Sequence, residues 1–191
     1  MPKTIVLLVL TVASSAILAY LAYDWWSVVP VESATFVGTQ SCLACHSDQA
    51  SAWSGSHHDL AMARATVDSV LGDFSDVTLE HHGVTSRMFR SGDRFMINTE
   101  GSDGKHHDFE VKYVFGVEPL QQYLVEFDRD PELPENAVGR LQVLRVSWDT
   151  ERQHWFHLDP PDVSEKLSPD DPLHWTNFGQ NWNHMCADCH D

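Results

Sequence analysis

The stretch HDFEVKYVFG, residues 107–116, decides what kind of body this chain builds. Phe109, Val111, Tyr113 and Phe115 alternate there with mostly polar residues, and a period of two marks a strand with one buried face. Upstream the same period begins near Thr78. Residues 87–90 and 94–98 flank Ser91-Gly92-Asp93, a hairpin signal, and GSDGK at 101–105 is the next turn. Downstream, LQQYLVEF at 120–127 and RLQVLRVSW at 140–148 read as two more strands, separated by the proline-bearing acidic loop DRDPELPENAVG. The expectation is a small antiparallel meander within a β-rich stretch, 72–150. Prolines 160, 161, 169 and 172 make the following segment irregular.

Two copies of Cys-x-x-Cys-His bracket this stretch, Cys42 to His46 and Cys186 to His190. In a c-type haem site two thiols three positions apart add across the porphyrin vinyl groups, and the next residue's imidazole reaches the iron. Both copies meet that demand, so Cys42, Cys45, Cys186 and Cys189 are expected to hold two covalent haem c groups, with His46 and His190 as proximal ligands. A four-cysteine zinc centre is the runner-up, but zinc ribbons place their knuckles roughly 15 to 20 residues apart. Thioredoxin-like chemistry needs a βαβ setting, which is not visible.

Composition narrows the function classes. A formal net charge of −16 argues against nucleic acid as a partner, since phosphate binding needs surplus Lys and Arg. All four cysteines are used in the two motifs, and twelve histidines point to metal or haem chemistry. At the amino terminus, 4–23 carries no charge and has about the length needed to cross a hydrocarbon core of roughly 30 Å. It reads as a membrane anchor, with a signal peptide as the alternative. Lys3 before it, Asp24 and Glu32 after it, and the cluster Tyr20, Tyr23, Trp25, Trp26 place the body on the periplasmic side of the cytoplasmic membrane as a single-pass protein.

The sixth position on each iron is open to several residues. The stretch 48–70 has helical character, with Ala50, Trp53, His57, Ala61 and Ala65 sharing a face and Gly55 weakening its middle. On one straight helix His57 and His58 lie about 17 Å along the axis from His46, too far to close on the same iron unless the chain breaks near Gly55. His174 can reach back towards the second motif. His81, His82, His106 and His107 fall at strand ends or turns and read as solvent-facing, with His154 and His157 undecided. Met62 and Met185 are weaker ligand candidates than core residues. Trp53, Trp175 and Trp182 lie near the motifs and suit porphyrin packing or ordinary core filling.

Taken together, FVGTQSCLACHSDQASAWSGSHHDLAM, FGVEPLQQYLVEF, GRLQVLRVSWDT, HWFHL and DPLHWTNFGQNWNHMCADCH resemble the multihaem cytochrome c family related to cytochrome c554, in its branch with tetratricopeptide repeats. The similarity covers about everything after residue 36. In that family a W-x-x-S-x-H pattern follows the first motif; Trp53, Ser56 and His58 match it, which implies His58 over His57 as a distal ligand. Family members continue into further haem sites, so the resemblance implies a truncated chain. The expected fold class is α+β: an anchor at 1–25, a linker at 26–40, and a cytochrome c domain at 41–191, incomplete at its end, with the meander as an insert. The expected function is that of a membrane-anchored electron carrier with two haems, no catalytic residues, and basic or membrane-bound redox partners. The alternative is a multihaem oxidoreductase of nitrogen compounds with one open haem iron.

Overall fold

The alternating stretch becomes β5 (His106–Phe115), the strand about which the body is arranged in this computed structural model, which describes residues 2–27, 35, 37–134 and 137–190, without the side chains of 6–10, 27, 188 and 190. Before it come α1 (Lys3–Ser27), α2 (Gln40–Trp53), β1 (Met62–Arg64), β2 (Val77–His81), β3 (Val84–Ser91) and β4 (Arg94–Glu100). After it come β6 (Leu120–Glu126), β7 (Leu141–Asp149), β8 (His154–His157), a 3₁₀ turn at Phe178–Gln180, α3 (Trp182–Met185) and α4 (Ala187–His190). Two compact units result, Met1–Ser47 and Asp48–Asp191.

The second unit is one antiparallel sheet in the order β2-β3-β4-β5-β6-β7-β8, with β1 added along β5. Its strands curl until the first and last, β2 and β8, face each other, and there the rings of His81 and His157 stack with centroids 4.2 Å apart. The result is a near-barrel with a seam between β2 and β8. Inside it lie Phe74, Met88, Phe95, Ile97, Val111, Val114, Tyr123, Leu144, Val146, Trp148, Trp155 and Trp175. Phe74 meets Phe95, Tyr123 and Trp155 edge to face, at centroid distances of 5.0, 5.5 and 5.3 Å, the arrangement aromatic quadrupoles favour.

Simple alternation fails inside β5. The pairing with β6 slips between Val111 and Tyr113, a β-bulge that places one extra residue on the β5 side and changes which face the later side chains take. Phe109 and Val111 therefore pack with the interior, whereas Tyr113 and Phe115 pack on a second cluster of Leu124, Leu141, Val143 and Trp182. A second slip, between Gln122 and Leu124, sets four steps of β7 against two of β6. Leu141 and Val143 join the outer cluster while Leu144, Val146 and Trp148 join the interior. β7 is buried on both faces from Leu141 to Trp148, with Gln142, Arg145 and Ser147 buried among its apolar residues.

Buried polar side chains tie the irregular segments to this sheet. Gln121 accepts from the Leu71 N–H at 2.8 Å and donates to the carbonyls of Ser69 and Gly116. Gln142 donates to the carbonyls of Trp175 and Asn177 at 2.8 and 2.5 Å. Arg145 donates to the carbonyls of Leu158 and Leu173, so the proline-rich stretch after β8 is fixed at both ends although it forms no strand.

Three expectations need correction. The body is not a helical cytochrome domain with a small β insert: the sheet runs from Met62 to His157 and is the bulk of the second unit. The helix expected over 48–70 stops at Trp53, because Gly55 takes φ +75° and the Asp59 carboxylate accepts the Gly55 N–H at 2.8 Å; Met62 to Arg64 then pair with Phe115 to Tyr113. The single-pass anchor is overturned as well, since among the described residues no helix is long and apolar enough to cross a membrane. In α1 the polar residues Thr11, Ser14 and Ser15 interrupt the apolar run, and both serine hydroxyls bond back to the Thr11 carbonyl. The linker expected at 26–40 falls largely outside the described residues.

Candidate functional site

The first motif lies on α2. Cys42 and Cys45 are free and exposed, and His46 leaves helical geometry at φ −123°, ψ 34°. This kink separates the two thiols from the rest of the helix. His46 belongs to the first unit, which ends at Ser47, whereas His57 and His58 belong to the second. His57 Nε2 lies 3.6 Å from Glu118 Oε2, with both side chains well exposed. His58 lines a shallow groove with Ala52, Trp53 and Ser56.

The second motif rests on the outer cluster. Trp182 at the start of α3 is buried, stacks edge to face on Phe115 at 4.9 Å, and carries the chain to Cys186. Cys186 and Ala187 pack on Leu124, Leu141, Val143 and Trp182. Asn183 locks α3 to the sheet by accepting the Leu141 N–H at 2.8 Å. Cys186 is free and half-buried, Cys189 free and exposed. Burial pushes the Cys186 thiol up, and the neighbouring Cys189 thiol adds to the effect. The His190 side chain lies outside the described residues.

His174 does not join Cys186. It is buried beside Trp175, within hydrogen-bond distance of Thr176 through Nδ1 at 2.8 Å, and lines a pocket of about 70 Å³ behind the seam. Burial lowers its pKa. Into the same pocket come His81, His82, Glu100, Arg145, His157, Asp159 and Lys166. Glu100 is buried against Lys166, and its Oε1 has no protein partner.

Asp159 Oδ1 stands 2.9 Å from His81 Nε2 and 2.8 Å from His157 Nδ1. Burial lowers the His157 pKa; burial works to raise that of Asp159, but the bonds from His81 and His157 hold it below the ordinary carboxylate range. The expectation that His81 faces solvent therefore fails: its side chain is 29% exposed and committed. His82-Gly83 forms the two-residue turn between β2 and β3, with φ of +47° and +77°, the left-handed pair that the right-handed twist of a hairpin requires. An x-Gly pair between two alternating runs is the local signal that fixes His82; nothing local brings His157 and Asp159 to it.

Searches of protein-family models, of curated proteins and of solved structures find no match to this chain.

Proposed function

We propose that the protein carries electrons on two covalently attached c-type haems. The observation that carries this reading is the pair of Cys-x-x-Cys-His motifs whose four thiols are all free rather than joined as disulfides. Cys42 and Cys45 would form the thioethers of the first group and His46 its iron ligand; Cys186, Cys189 and His190 would serve the second. The residues suit the group: two thiols three positions apart stand exposed on α2, and at the second motif an apolar platform of Trp182, Leu141 and Val143 lies against Cys186. Bound there, haem supplies an iron that cycles between its ferrous and ferric states. The resemblance to cytochrome c554-related proteins supports the same reading, and a net charge of −16 favours a basic redox partner through electrostatic steering.

The test is expression of the full chain in a host with working cytochrome maturation. The purified protein should keep its Soret band after acid-acetone extraction and carry the mass of two haems. Cys42→Ala with Cys45→Ala should remove one, and Cys186→Ala with Cys189→Ala the other. A chain of unmodified mass in such a host would refute the proposal.

A further inference from the structure

We propose that His81, His82 and Asp159 bind one divalent transition-metal ion of the zinc class, and that this ion clasps the seam of the near-barrel. One ligand atom from each lies within 4.8 Å of the others. Bonds of about 2.0–2.1 Å in tetrahedral geometry set ligand atoms roughly 3.3 Å apart, so small side-chain rotations suffice. Imidazole nitrogens select zinc and its neighbours over calcium or magnesium, which prefer oxygen alone.

Three features of the fold bring these donors together. Successive side chains on a strand point to opposite faces, and His82 would turn away from His81 if β2 continued. The left-handed turn at His82-Gly83 swings its ring back until the two centroids are 4.0 Å apart. Curling of the sheet then delivers Asp159 from just beyond β8, and His157 is within hydrogen-bond distance of the carboxylate, as partners behind metal ligands do. Two imidazoles and one carboxylate would leave a fourth position free, and the pocket these residues help to line also holds Glu100 and His174.

The ion would also do mechanical work. Within the sheet β2 pairs with β3 and β8 with β7, so across the seam the join is made by side chains: His81 on Asp159, and His81 stacked on His157. An ion coordinated by His81 and His82 from one side and Asp159 from the other would hold that seam shut.

The experiment uses the full chain without an affinity tag, with its haems attached so that no thiol is left to bind zinc, and stripped with a chelator; a chain with all four cysteines changed to alanine serves as a second background. Calorimetric titration with Zn²⁺ should show one site, and saturation should raise the melting temperature. His82→Ala removes an exposed ligand in a turn and leaves the core untouched. It should weaken binding by more than the about 10- to 100-fold that losing a second-shell partner costs, and abolish the thermal shift; Asp159→Asn should do likewise. His106→Ala, an exposed histidine elsewhere, should change neither. Absence of binding in both thiol-free backgrounds, or binding and stabilisation unchanged in His82→Ala, overturns the proposal.

Discussion

Replacing Gln142 by leucine tests how the segment leading to the second motif is held. Gln142 is fully buried, its amide donating to Trp175 O and Asn177 O while its own Oε1 finds no protein partner. Leucine has a similar volume, so cavity terms are small and the change is one of hydrogen bonding. The Trp175 carbonyl would be left without its donor in a buried setting, which costs about 1–3 kcal/mol. The Asn177 carbonyl is partly exposed and regains water, so its loss stays near about 1 kcal/mol. Removing the orphaned Oε1 returns a similar amount. The net expectation is about 2 kcal/mol of destabilisation, which at a urea slope of about 2 kcal/mol/M lowers the midpoint by about 1 M. Urea unfolding followed by tryptophan fluorescence measures it, and limited proteolysis should show new cleavage within 171–181. A midpoint within about 0.2 M of the parent, with no new cleavage, would refute the view that Gln142 anchors this segment.

Gly72→Ala should cost about 1–3 kcal/mol by overpacking, since a Cβ there would stand 2.3 Å from Tyr123 Oη and 2.7 Å from the Trp155 ring; the thermal midpoint reads it. Glu126 makes the fold acid-sensitive: burial alone would raise its carboxyl, but the Gly139 N–H at 2.9 Å and the Arg129 guanidinium together hold it below the ordinary range. A depressed carboxylate contributes stability that is complete above the unfolded pKa and lost as pH falls through the lower folded value. Glu126→Gln should therefore flatten the acid limb of the urea midpoint plotted against pH, and an unchanged limb would exclude it as a contributor. Gly116 takes φ +85°, and a Cβ would meet the Leu120 carbonyl at 2.6 Å; Gly116→Ala should be destabilising by about 1–3 kcal/mol, readable in the same unfolding assay.

Local signals carried the strands and the cysteine motifs. The period of two around Phe109, the turn at Gly92 and the strand-forming stretches 120–127 and 140–148 place β3 to β7 where they form, because strand pairing between neighbours in sequence is a local matter. Faces were a different problem. Counting by twos puts Tyr113 with Val111, but one extra residue in the ladder separates them, and a bulge leaves no mark in the hydropathy pattern. The apparent helix over 48–70 failed because a single left-handed glycine ends it, and alanine-rich periodicity without that break looks the same for a helix or for turns followed by an edge strand. The seam cluster was out of reach altogether, since His81 and Asp159 are 78 positions apart and only curling of the whole sheet makes them neighbours.

The slip at Lys112 also sets the phase of everything after it. Were Lys112 instead drawn into the ladder opposite Leu124, Tyr113 and Phe115 would turn towards a filled interior while Val114 turned out, and the ledge on which Cys186 sits would lose the aromatic ring that supports Trp182. A single unpaired position in the middle of a strand thus governs the seat of a cysteine far along the chain.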